Sequence, residues 1–363
     1  YWHIEKQVKG FGRLFESTGT DNLEEAEKYL TMRLEEIRQQ VVYGVRPIRF
    51  FRQAATKYLN ETVKRSLDRD AGCLRILDSY IGDMPIEEIH MGTLQPYMQA
   101  RKKAGVKSGS VSRELAVVRR ILTLAARVWR DENNKPWIDT APLLELPNWE
   151  DAAEPYPLSW DEQRRFFKLL PDYLHKMALF KVNTGLRAQG VSWLRWDWEV
   201  KIPELNTSIF ITPGKPVQYK DGLWSGEKNN EDQVVVLNRV ARKVIDGQRG
   251  IHSDYVFPHR GKRIYQMNNS DWKTAWEKAG LPIDGSYTKG PHNLKHTFGR
   301  RLRSVGVSLE TRKVLLHHKS GDITTHYSPA ELEELINAVE KIVENQSGKN
   351  PALTLIRRNV VNG

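Results

Sequence analysis

Four prolines, Pro142, Pro147, Pro155 and Pro157, fall close together near the middle of this 363-residue chain, with Glu150, Asp151 and Glu154 among them. Proline lacks the N–H that a helix interior or a sheet ladder needs, and it pushes the residue before it toward extended backbone. No regular element can therefore run through 142–157, which reads as a linker between separately folding parts. A chain of this length has room for two or three domains on the usual scale of about 100–200 residues. It is also long enough to bury a core without disulfide or metal staples.

Upstream of the linker the text changes once. In residues 1–20, Gly10, Gly12 and Gly19 punctuate Val8, Phe11, Leu14 and Phe15, which predicts short strands and turns. From Asn22 onward Leu23, Ala26, Tyr29, Leu30, Met32, Leu34 and Ile37 carry a helical period, up to a break at 44–47. Residues 48–145 read as several helices with almost no strand signal. The clearest spans 111–130, where Leu115, Val118, Leu122, Ala125 and Trp129 recur on one face. Arg113, Arg120 and Arg127 fall on another face, and Arg101, Lys102, Lys103 and Lys107 precede the helix. A stripe of this kind serves equally as a solvated surface or as a contact for phosphates.

Downstream, helical text runs over 160–183 and again over 184–198. Strand-like pieces follow at 208–212 and 234–237, separated by a Gly-, Lys- and Asn-rich segment suited to a hairpin with a long loop. Helices return from Ser270 and close over 329–344. The expected fold class is mainly α with a small β-sheet (α+β). The expected domains are a small N-terminal arm-like appendage (1–45), a helical DNA-binding domain of core type (46–145), a linker (146–157) and a catalytic domain (158–345). A C-terminal tail (346–363) has an apolar stretch at 352–356 that is suited to docking on a neighbouring subunit.

Lys and Arg number 56 against 45 Asp and Glu, a formal net charge of +11. That balance calls for a polyanionic partner, nucleic acid before an anionic membrane surface. No apolar run approaches the roughly 18 residues of a spanning helix, and the opening residues lack the succession of a signal peptide. The chain is therefore expected to be soluble and cytoplasmic, with no membrane partner. The single cysteine, Cys73, excludes an intrachain disulfide framework and a CxxC zinc knuckle, and reads as a small buried hydrophobe.

The most informative segment is Pro291-His292-Asn293-Leu294-Lys295-His296-Thr297-Phe298. On a helix, His292, Lys295, His296 and Gly299 share one face, while Leu294, Phe298 and Val305 share the opposite one. An anchored helix would thus present two imidazoles and an ammonium together. Further on come Leu315-Leu316-His317-His318 and then Thr324-Thr325-His326-Tyr327. Next stands a helix start with Ser328 as N-cap, Pro329 at N1 and Glu331 at N3.

In order and in separation, Thr184-Gly185-Leu186-Arg187 and these three later blocks resemble the catalytic domain of the tyrosine recombinases, phage-type integrases among them. The resemblance is strong over 151–345. It is less specific over 48–145, which is similar to that family's helical core-binding domain in the runs 80–86 and 108–113, and it is weaker again for the arm-like first 45 residues. It implies a site-specific recombinase that cuts and rejoins DNA through a 3′-phosphotyrosyl intermediate, with no cofactor and no metal. The implied catalytic residues are Arg187, Lys228, His292, Lys295, His318 and Tyr327. Arg187 would grip the phosphate, Lys228 (with Lys220 as fallback) would protonate the leaving 5′-oxygen, and Tyr327 would be the nucleophile. The implied partners are double-stranded DNA, three further protomers in a tetramer on paired sites, and an accessory DNA-bending or directionality protein. The implied setting is a bacterial or phage-encoded protein at the nucleoid.

Two positions depart from the pattern. Lys295 stands where most members have arginine, keeping the charge but losing the bidentate fork. Gly190 stands where an acidic residue is usual, three positions after the arginine, which predicts a less well supported site. Three other readings compete: a DNA-binding protein of the same fold with a weakened site, a relaxing enzyme of the type IB topoisomerase kind, and a metal hydrolase using His292 and His296.

Overall fold

The computed structural model describes residues 1–43, 46–131, 134–148, 150–228, 230–317 and 328–343. His318, Tyr327 and the tail 346–363 lie outside the described residues. The chain divides into two compact units, Tyr1–Ala152 and Ala153–Gly363.

The first unit opens with a hairpin, β1 (His3–Val8) paired antiparallel with β2 (Gly12–Ser17), and a helix α1 (Leu23–Tyr43). Strand alternation sends Ile4 and Leu14 to one face, where they bury against Ile37 of α1. Four helices follow: α2 (Phe51–Glu61), α3 (Leu67–Ile81), α4 (Met91–Lys103) and α5 (Ser108–Arg127). Leu115, Val118, Ile121, Leu122 and Ala125 of α5 are fully buried against Phe51, Tyr58, Leu77 and Tyr97. At about 1.5–3 kcal/mol for each large apolar side chain removed from water, this stripe fixes which way α5 faces. Arg113, Arg120 and Arg127 are thereby left exposed.

In the second unit, α6 (Trp160–Leu169), α7 (Asp172–Thr184) and α8 (Ala188–Trp193) lead into a three-stranded antiparallel sheet. Its order is β3 (Glu199–Ile202), β4 (Thr207–Thr212) and then β7 (Gln233–Val235). The connection from β4 to β7 carries its own hairpin, β5 (Val217–Tyr219) with β6 (Gly222–Trp224). Helix α9 (Arg239–Asp246), a small hairpin of β8 (Pro258–His259) and β9 (Lys262–Arg263), and helix α10 (Ser270–Lys278) follow. Helices α11 (His292–Ser304), α12 (Leu309–Leu315) and α13 (Pro329–Glu340) come next. One core gathers Phe166, Met177, Phe180, Trp272, Trp276 and Leu294, and another gathers Phe298, Leu302, Leu315, Leu335 and Val339.

The class is α+β, as the periodicities predict, but the local boundaries differ. The helix expected over 160–183 breaks at Leu170, which precedes Pro171 and takes extended backbone. The helix expected over 184–198 is only the short α8 plus one 3-10 turn at Trp196–Trp198. Val191, Trp193 and Leu194 are buried whichever way they point, so their spacing carried no information about a face. The hairpins β5–β6 and β8–β9 are too short to leave an alternating pattern.

Candidate active site

Arg187 owes its position to the turn before it. Helix α7 ends at Thr184, and Gly185 takes the left-handed conformation at φ +67°. A Cβ there would lie 2.5 Å from a ring carbon of the buried Phe298, so position 185 accepts only glycine. Leu186 is fully buried, and its carbonyl accepts a hydrogen bond from the ammonium of Lys181, itself wholly buried. The turn is thus held from both sides. Arg187 emerges in extended backbone as the N-cap of α8.

The guanidinium of Arg187 then meets two distant parts of the chain. Its Nη1 donates to Glu227 Oε2 at 3.1 Å and to Gln233 Oε1 at 3.3 Å, and its Nη2 donates to the carbonyl of His317 at 3.5 Å. Glu227 is 3% exposed, and its other oxygen accepts from Thr212 Oγ1 at 3.1 Å. His317 sits just past the end of α12 in left-handed backbone, φ +52°, and is buried.

Helix α11 contributes its residues through a clear local logic. Leu294 and Phe298 bury in the core, while the carboxamide oxygen of Asn293 accepts from the Tyr156 N–H (3.0 Å) and from Thr288 Oγ1 (2.7 Å). Thr297 Oγ1 accepts from the Leu158 N–H at 2.9 Å. With these positions anchored, Lys295 is only 5% exposed, and its Nζ has no hydrogen-bond partner among the described residues. Burial, helped by the nearby Arg187 charge, pushes the Lys295 ammonium down to about 7, with Glu227 pulling the other way. Lys181 is lowered by the same forces: burial first, then the charges of Lys295 and Arg187.

His292 lies one turn earlier on α11, exposed, with its ring edge-to-face against His296 at 4.7 Å between centroids. Loss of solvation, then the charges of His296, Lys181, Lys295 and Arg187, push it down to about 4. The imidazole is therefore neutral at pH 7. Among the described residues no three His, Cys, Asp or Glu side chains converge as a metal site would require.

Lys228 is exposed in the turn that follows Glu227. Lys220 stands elsewhere, in the turn of the β5–β6 hairpin, lining a cleft of about 780 Å³ with Arg195, Tyr219, Tyr255 and Arg263. Of the basic residues singled out in the first unit, Lys102, Lys103, Lys107, Arg113, Arg120 and Arg127 are exposed. Arg101 is half-buried. Its Nη2 donates to the buried Glu114 at 2.5 Å, alongside the Tyr97 hydroxyl, so its charge is spent on a core carboxylate.

The sequence reading missed Glu227, Gln233 and Lys181. A Cβ at Gly190 would lie 2.9 Å from Cδ1 of the buried Leu186, so a side chain there requires the Leu186 side chain to shift. The carboxylate that Arg187 meets comes instead from the β4–β7 connection.

The fold is that of the tyrosine recombinases. The Tn1549 transposon integrase, in a complex with transposon right end DNA, matches with a TM-score of 0.58 at 14% identity, covering 80% of this chain and 94% of that one. A lambda integrase dimer bound to a COC′ core site matches at 0.57 and 13%, covering 98% of this chain and 95% of that one. A lambda integrase tetramer bound to a Holliday junction matches at 0.57 and 13%, covering 89% and 96%. A search of curated protein sequences found no match. Residues 161–334 match the phage integrase family model, so this segment of the second unit carries a domain of the kind that breaks and rejoins DNA strands. Among the described residues no helix is long and apolar enough to cross a membrane.

Proposed function

We propose that the chain recombines DNA at specific sites, with Tyr327 as nucleophile and Arg187, Lys228, His292, Lys295 and His318 around the scissile phosphate. The observation that carries this assignment is the convergence on Arg187 of the β4–β7 connection and the end of α12, beside a buried ammonium that lacks a partner among the described residues. Such a cluster has a surplus of positive charge, which a phosphodiester supplies the means to neutralise.

In the proposed reaction the phenol oxygen of Tyr327 attacks phosphorus while the bond to the 5′-oxygen breaks. The phenol proton passes to the neutral imidazole of His292 and the 5′-oxygen takes one up from Lys228, leaving a 3′-phosphotyrosyl link and a free 5′-hydroxyl. Attack by a 5′-hydroxyl on that link reverses the chemistry, so no energy source is needed. Arg187 and Lys295 hold the nonbridging oxygens, whose charge grows in the transition state, and the phosphate in turn favours the charged form of Lys295. His292, neutral at pH 7, can donate or accept one proton at that phosphate. His318 would donate to it.

The exposed basic residues of α4 and α5, from Lys102 to Arg127, are assigned to the DNA backbone, where they add affinity rather than sequence reading. A tetramer on paired sites, like the lambda integrase assembly on a Holliday junction, follows from the need to cut four strands, and an accessory protein that bends DNA fits the same scheme. Covalent capture tests the assignment. The purified chain is incubated with a randomised nicked-duplex pool and denatured, the protein-linked DNA is sequenced, and the modified peptide is mapped. An adduct on Tyr327 with an enriched sequence is expected. DNA binding without any adduct would instead support a binding protein with a weakened site.

A further inference from the structure

Among the described residues three cationic side chains, Lys181, Arg187 and Lys295, act on one another inside the catalytic unit, and the carboxylate set against them is Glu227. Glu227 is held at every polar atom. Its two carboxylate oxygens take Arg187 and Thr212, its N–H donates to the carbonyl of Pro213 at 3.3 Å, and its carbonyl accepts from the N–H of Asn230 at 3.1 Å. Just before it, Gly226 stands at φ +78° where a Cβ would run into the backbone of Gly214, so the two ends of the β5–β6 excursion are pressed together. Lys228 is the next residue in the chain. Whatever fixes Glu227 also fixes the backbone from which Lys228 projects.

We propose that Glu227 is a positioning residue for strand cleavage: it aims the Arg187 guanidinium, sets the base of Lys228, and supplies the negative charge that offsets the crowded cations around the phosphate. It does so from the β4–β7 connection, while position 190 of α8, a glycine, offers Arg187 no carboxylate. This inference rests on the roles given above to Arg187 and Lys228. A merely structural carboxylate, present only to satisfy a buried arginine, would affect stability and rate without changing how the rate depends on pH.

Glu227→Gln separates the two, since it keeps the shape and one acceptor oxygen but removes the charge. Single-turnover cleavage is measured on the nicked duplex recovered by covalent capture, across pH 6 to 10. Lys295 loses its proton as pH rises, which sets an alkaline limb. Removing a neighbouring negative charge lowers the pH at which this happens, so the limb moves toward acid. The expected result is a rate lower by roughly 10- to 100-fold, with DNA affinity changed by less than about threefold and the limb displaced to lower pH. Glu227→Asp restores the position of the limb, though not the full rate, because the carboxylate is one methylene short. In a Lys295→Arg background, where the limb no longer reports a titrating lysine, Glu227→Gln displaces nothing. A Glu227→Gln protein that cleaves at the parental rate overturns the proposal, and so does one that is slowed equally at every pH. A parental protein that forms no adduct overturns the site assignment, and the proposal falls with it.

Discussion

Replacing Lys295 by methionine should stabilise the free protein while abolishing cleavage. The lysine is 5% exposed, its ammonium has no hydrogen-bond partner among the described residues, and its proton affinity has fallen from 10.5 to about 7. At about 1.4 kcal/mol per pKa unit, that shift costs the folded state on the order of 4–5 kcal/mol at and below neutral pH. Methionine has a similar length and no group to desolvate, and exchanging buried charge for a well-packed apolar side chain typically recovers about 1–4 kcal/mol. The dependence on pH has a definite sign. Below pH 7 the lysine is charged in both folded and unfolded chains, so the whole penalty is present. Between pH 7 and 10.5 the unfolded chain keeps a proton that the folded one has shed, so parental stability climbs with pH and the advantage of methionine shrinks. Urea unfolding followed by tryptophan fluorescence at pH 6.5, 8 and 9.5 measures this. A methionine variant no more stable than the parent at pH 6.5, or one whose advantage does not diminish by pH 9.5, would refute the reasoning.

Tyr327→Phe should abolish the covalent adduct and leave DNA affinity within about twofold, since a single hydroxyl is lost from a binding surface dominated by phosphate contacts; persistent cleavage would show that another residue is the nucleophile. Arg187→Lys should slow single-turnover cleavage by about 10²–10³-fold, because the charge stays while the fork that reaches Glu227, Gln233 and the phosphate is lost. A rate within tenfold of the parent would remove Arg187 from the role assigned to it. Gly190→Glu, which restores the residue usual at that position, should destabilise the protein by about 1–3 kcal/mol through overpacking against Leu186 and should not raise the cleavage rate. A faster or more stable variant, measured by the same adduct assay and by urea unfolding, would mean that α8 yields more readily than its packing indicates.

The parts of this protein that the sequence revealed are those with a local signature. Helix α5 announces itself because Leu115, Val118, Leu122 and Ala125 share a face that must bury, and the Ser328 cap of α13 is a capping box in which Ser328 and Glu331 satisfy each other's backbone. Lys295 could be placed on α11 from periodicity alone, although its burial could not: a lysine in a helix is ordinarily solvated, and only the anchoring of Asn293 and Thr297 by Tyr156, Thr288 and Leu158 turns it inward. Glu227 had no signature at all. It lies in a loop, 40 positions from the arginine it pairs with, and nothing in the spacing of a loop records which cation it will meet. The absence at Gly190 and the carboxylate of Glu227 become one observation only in three dimensions, where the sheet side brings to Arg187 a carboxylate that a glycine at 190 does not provide. A helical site that lacks its usual acid can therefore draw a carboxylate from elsewhere in the fold. A residue missing from a motif calls for a search for the charge that replaces it, among residues beside another group of the proposed site, as Glu227 is beside Lys228.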